Sequence, residues 1–181
     1  MGLTITQKAD TLGTIRFVCV RSMEMLAAWV PTSPELEVKT LFGRHIWELA
    51  QHADQIGRRT VELRAKLHYE RPPVDAYREA LQFAREAAAS GDRIAAFYDA
   101  LLPDLRRRLE RYIDATDALL DAPTLDIVRR MLGDFDRMER DRAAVARQRT
   151  DLASEPLQLE HLRARLAACE PFVDFRESAA A

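Results

Sequence analysis

The stretch Pro34–Leu67, PELEVKTLFGRHIWELAQHADQIGRRTVELRAKL, decides how this chain folds. Placed at 100° intervals, Val38, Leu41, Phe42, Leu49, Ile56 and Leu63 fall on one face, the pattern of a long helix with a single buried stripe. His45 and His52 lie at the centre of that stripe, so both rings point into a core. A polar group buried without a partner costs about 1–3 kcal/mol. Each imidazole therefore calls for a specified neighbour.

Seven residues separate the two rings, about 10 Å along a helix axis at 1.5 Å per residue. Ligands of one zinc or iron ion stand only about 2 Å from it, so the two histidines do not share one ion. Glu48 lies between them on the border of the same face, in reach of either ring. A metal site would pair Glu48 with one histidine, or set two ions along the stripe.

Further carboxylates must come from another helix, and GDFDRMERDR (133–142) supplies them. Ile127, Met131, Phe135, Met138 and Val145 define the buried face there. Asp134 and Asp141 run along one border and Glu139 along the other, while Asp136 points to solvent. Arg142 falls inside the apolar face, which suggests an internal ion pair as readily as a metal site.

Outward from these helices the chain divides at Pro and Gly. Residues 1–8 read as a loose leader, and a first helix starts near Asp10 or Thr11 and runs to Val30. Its stripe is Leu12, Ile15, Cys19, Met23, Leu26 and Val30, backed by a second one of Phe17, Val20 and Ala28. A helix apolar on two sides is either central or covered by a partner subunit, which makes a homodimer one expected state. Ser33-Pro34-Glu35 starts the second helix. A third spans roughly 74–88, a fourth roughly 94–119 with a kink or break just before Pro103, and a fifth 124–149. A last short helix covers roughly 155–169. No stretch alternates with period two, so no sheet is expected.

The fold expected is all-α: one domain over residues 1–181, with an antiparallel four-helix core at about 10–149, an extra short helix and a C-terminal helical tail at 150–181. Hydrophobic residues are 48% and charged residues 31% of the chain, which suits a helical globular protein and not a disordered one. A net charge of -2, with arginines matched throughout by carboxylates, argues against nucleic acid or anionic lipid as a partner. Cys19 and Cys169 lack metal or redox spacing. The apolar run at 16–30 is broken by Arg21 and Glu24, too early to span a bilayer, and it has no signal-peptide layout. A cytoplasmic location is the default.

With these residues in view, HIWELAQHAD (45–54), followed by Arg58, Arg59 and VELR (61–64), resembles a pattern in ferritin-like bacterial proteins. DAPTLDIVRRMLGDFDRMERD (121–141) is similar to a later helix of the same proteins. The resemblance implies a ferritin-like bundle and, where the di-metal centre works, oxidase or oxygenase chemistry with iron or manganese. The metal pattern it implies is a glutamate on one helix and an E-x-x-H unit on the next, with the same arrangement repeated. Here Leu49 stands three residues before His52 and Arg137 three after Asp134, while His45-x-x-Glu48 has the residue types in reversed order.

Three functions remain open. In the first, His45, Glu48 and His52, completed by Asp134 or Asp141, hold a metal that serves O2-dependent oxidation. In the second, the bundle is a metal-free scaffold or dimeric interaction module, and the histidines are only hydrogen-bonded core residues. In the third, His45 or His52, tuned by Glu48 or Asp134, acts without a cofactor as a general acid or base on a small apolar substrate. Trp29 and Trp47 read as packing or interface residues.

Overall fold

A computed structural model describes residues 2–175, and the regular structure among them is helical throughout. In chain order the elements are α1 (Ile5–Trp29), α2 (Leu36–Glu62), α3 (Asp75–Arg85) and α4 (Ser90–Ile94). A π-helical segment (Ala95–Leu101) follows, and then α5 (Leu102–Ala115), α6 (Ala122–Gln148) and α7 (Pro156–Ala167). No helix of the described residues is long and apolar enough to cross a membrane.

α1 starts earlier than expected because residues 4–7 form a capping box. The Thr4 hydroxyl accepts from the Gln7 backbone N–H, and the Gln7 side chain accepts from that of Thr4. Thr-x-x-Gln is a start signal of its own, and it turns the supposed leader into a first helical turn. Ser33, in contrast, does not cap α2. Its hydroxyl donates to the Trp29 carbonyl and accepts from Arg93, tying the α1–α2 turn to α4. The N-cap position of α2 is Glu35, whose side chain makes no capping bond.

α2 also ends sooner, at Glu62, because the following segment folds back over it. Arg64 and His68 have positive φ values of 61° and 53°, and the His68 backbone N–H donates to the Gly57 carbonyl at 3.1 Å. A Cβ on Gly57 would lie 2.3 Å from His68 Nδ1, so only a glycine lets the segment lie this close.

The expected break before Pro103 takes another form. Pro103 has no N–H to give the carbonyl of Asp99, its partner in an α-helix. The π-helical segment widens the preceding turn, with the Leu102 N–H bonded to the Phe97 carbonyl, and the rod continues to Ala115. Arg163 on α7 donates to the Asp99 carbonyl at 3.0 Å. The orphaned acceptor thus becomes a docking point for α7.

α1 and α2 fold into a hairpin with the most extensive contact in the molecule, and α6 packs against α2. The π-helical segment touches α5, α6 and α7, and α3 lies against α7. The second stripe of α1 is largely taken up within the chain: Phe17 and Val20 pack on the core, and Phe17 and Met25 face Leu81 of α3 across a groove. The C-terminal segment, expected as a tail outside the core, sends Leu162, Leu166, Cys169, Phe172 and Val173 into the same hydrophobic cluster as α1 and α2.

Two buried polar nodes pin the helices. Asp121, fully buried just before α6, accepts from Tyr112, Thr116, Thr124 and Arg59, with Lys8 of α1 3.6 Å away. Arg108 on α5 donates to Asp104 and to the Leu166 carbonyl, and its guanidinium lies 4.2 Å from the Phe172 ring centre.

Candidate site at the seam of α2 and α6

Both histidines are buried, His45 at 0% and His52 at 1% exposure, as the stripe on α2 demands. Their partners come from the border of α6 that carries Asp134 and Asp141. Because α6 runs antiparallel to α2, the two seven-residue spacings match in opposite order, so His45 meets Asp141 and His52 meets Asp134. His52 Nε2 stands 2.8 Å from Asp134, and His45 Nε2 stands 3.4 Å from Asp141. The four named residues thus form two cross-helix pairs on successive layers.

His45 has a second partner that sequence reasoning did not pair with it. Tyr98, in the π-helical segment, lies 2.6 Å from Nδ1. Burial raises the Tyr98 pKa well above its ordinary value, so the phenol keeps its proton and donates. That assigns Nδ1 as the acceptor and Nε2–H as the donor to Asp141, giving the chain Tyr98 to His45 to Asp141. The signal for Tyr98 was its place on the buried stripe of the fourth helix, where a hydroxyl needs a partner. Among the described residues His52 has no such partner: its Nε2 bonds Asp134, its ring meets Phe135 edge-on, and no hydrogen bond from them reaches its buried Nδ1.

Glu48 bonds neither ring. It accepts from Arg137 Nε at 3.0 Å, and the same guanidinium donates to Asp134 at 2.8 Å. One layer away Arg44 donates to Asp141 at 2.7 Å. Every candidate carboxylate is therefore held by an arginine. Arg137, noted in the sequence only as the residue that breaks a metal motif, bridges two of them. Glu139 and Asp136 pair with Arg106 of α5, and Arg142 forms an ion pair with Asp99 at 2.6 Å, the internal pair that its place on the apolar face suggested. Among the described residues no group of three or more His, Cys, Asp or Glu side chains could hold a metal ion.

The electrostatics favour neutral rings facing charged carboxylates. Burial lowers the pKa of His45 and His52, outweighing the pull of Glu48 and of the paired aspartate on each ring. Burial pushes the Asp134 and Asp141 carboxyls up, but hydrogen bonds from the rings and from Arg137 or Arg44 hold both below the usual value. The seam is thus a pair of neutral imidazoles each donating to a carboxylate. Asp141 and Arg44 also line a groove of about 340 Å³ between α2 and α6, with Leu36, Thr40 and Val145.

A pH dependence follows from these shifts. The unfolded rings take up protons near 6.5 and the folded rings only lower, so stability is complete above pH 6.5 and declines as pH falls towards the folded-state values. The aspartates add stability above 3.8 that disappears as pH drops through their depressed folded values. Urea midpoints measured against pH should fall in two stages, and His52→Leu should reduce the first stage.

No protein-family model, no curated protein and no solved structure matches this chain.

Proposed function

We propose that the chain is a ferritin-like helical scaffold, its four-helix core formed by α1, α2, the rod from Ser90 to Ala115 and α6. In this reading His45, Glu48, His52, Asp134 and Asp141 clamp α2 to α6 and do not handle a metal or a substrate. The observation that carries it is the pairing of each carboxylate with an arginine. A dication at either layer would sit beside a fixed guanidinium and would have to break an Arg–carboxylate bond for each oxygen it gained. His45 offers it no free nitrogen, because Nδ1 is engaged by Tyr98 and Nε2 faces Asp141. This donor set does not fit the di-metal centre that the resemblance implies.

The test is metal content with a stability readout. Protein purified without chelator and then incubated with Fe(II) or Mn(II) should carry metal far below one ion per chain and melt at an unchanged temperature. Stoichiometric metal that raises Tm would overturn the scaffold reading and favour the oxidase. His52→Leu should fold with stability within about 1 kcal/mol of wild type, since Leu fills the apolar layer while removing a half-satisfied ring.

A second reading rests on the chain from Tyr98 through His45 to Asp141. It ends at the groove, where Arg44 could seat an anionic group and the Asp141–His45 pair could move a proton. Tyr98→Phe removes the phenol that fixes the ring tautomer. An activity on a small substrate that Tyr98→Phe and His45→Gln both abolish would favour this reading over the scaffold.

A further inference from the structure

The outer face of α2 carries a feature that the inner-face clamps leave unused. Leu36 is 73% exposed and Trp47 67% exposed, both large and apolar. Eleven residues apart, they lie three turns from each other on the same line of the helix, about 16 Å apart. Between them are Thr40 and Gly43, and a Cβ on Gly43 would meet nothing within 4 Å. Glu37 and Arg44 share the flank that borders the groove with α6; each is ion-paired within its own chain, Glu37 with Arg149 and Arg44 with Asp141, and their side chains stay 40% and 56% exposed.

We propose that this face is an isologous docking surface, on which α2 packs antiparallel against α2 of a second copy of the chain. The two-fold axis passes between Leu41 and Phe42. That register sets Trp47 of each copy on Leu36 of the other and Gly43 opposite Thr40, where the missing side chain lets the backbones approach. Residues on one flank of an antiparallel pair meet the same flank of the partner, so Arg44 comes within reach of Glu37 of the second copy. The single face is therefore self-complementary in shape and charge, as a two-fold interface must be. A parallel arrangement would instead stack Trp47 on Trp47 and carry Arg44 to the side away from Glu37 of the partner. The apolar pairings set the register, and Arg44 then stands two residues, about 3 Å along the axis, from Glu37 of the partner.

Leu36 and Trp47 lie on the opposite side of α2 from His45 and His52 and touch none of the clamp's bonds, so variants at these two positions test the dimer separately from the metal-free clamp. Sedimentation of the full chain over a range of concentrations should show a dimer that dissociates on dilution. Trp47→Glu and Leu36→Glu should each leave a monomer with wild-type helicity and the Tm that the wild type shows when diluted to a monomer, since both side chains are mostly in solvent. The register is tested by cross-linking. Leu36→Cys combined with Trp47→Cys should give a covalent dimer under mild oxidation. Trp47→Cys alone should not, because its two copies stand about 16 Å apart along the axis, beyond the roughly 7 Å a disulfide tolerates. A wild type that is monomeric at its highest soluble concentration, a dimer that survives Trp47→Glu, or equal cross-linking by the single and double cysteine variants would each overturn the proposal.

Discussion

Asp121→Ala is expected to lower the unfolding free energy by about 3–5 kcal/mol, the range for removing one partner of a buried charge network. Tm should fall on the order of 10 °C for a domain of this size. Asp121 is fully buried and gathers groups from four elements: Lys8 on α1, Arg59 on α2, Tyr112 at the end of α5, and Thr124 in the first turn of α6. Burial opposes its charge, yet hydrogen bonds from Thr124, Tyr112 and Thr116, with Arg59 behind them, hold its pKa below the usual value. Alanine leaves Arg59 and Lys8 without their buried counter-ion and three hydroxyls, those of Tyr112, Thr116 and Thr124, without their acceptor. Asp121→Asn keeps an acceptor oxygen and should cost less. Asp126→Ala, five residues further on and paired with the exposed Arg129, should change stability by less than about 0.5 kcal/mol. Urea unfolding of the three variants checks this ordering, and equal effects at 121 and 126 would show that the node carries no stability.

Arg108→Met should cost about 3 kcal/mol, for the same reason applied to a cation. Burial weakens the charge on Arg108, but the hydrogen bond and attraction of Asp104 outweigh that and raise its pKa. Asp104 in turn accepts from Tyr77 at 3.0 Å and from Arg107, so its carboxylate would remain buried with one partner fewer. The guanidinium also bonds the Leu166 carbonyl at the end of α7 and lies over the rings of Phe172 and Tyr77. Loss of this residue should therefore loosen α7 and residues 169–173 before the rest. Amide exchange should rise first there, while α2 and α6 stay protected. Arg108→Lys keeps the charge but loses the planar fork and the stacking, and it should recover only part of the loss.

Neither node was legible as a node in the sequence. Asp121 reads there as a turn residue before Pro123, and Arg108 as one of three consecutive arginines. Both become central because distant segments converge on them, Lys8 with Arg59 on one and Leu166 with Phe172 on the other. A helical wheel places a residue on its own helix and carries no information about which residue of another helix will face it.

The local pattern was sufficient for much of the rest. The apolar stripe of α2 placed His45 and His52 inside, and the wheel of α6 put Asp134 and Asp141 on one border. Equal seven-residue spacings on two antiparallel helices then allow the rings and carboxylates to meet in pairs. Helicity, the buried face of each long helix and the Pro- and Gly-marked turns are likewise set by neighbours in the chain, through the 3.6-residue period and the missing N–H of proline.

What the carboxylates do was decided only by tertiary structure. Glu48, placed by spacing between two rings, turns to Arg137, and Asp141 accepts from Arg44 as well as His45. The physical reason is that an arginine side chain reaches across a helix seam and its fork engages two carboxylates at once, so the set of partners depends on the depth and register of packing. Tyr98 reaches His45 in the same way, from the π-helical segment. The sequence by itself determined that the seam would hold histidines and acids, whereas packing decided that arginines and a tyrosine would occupy them.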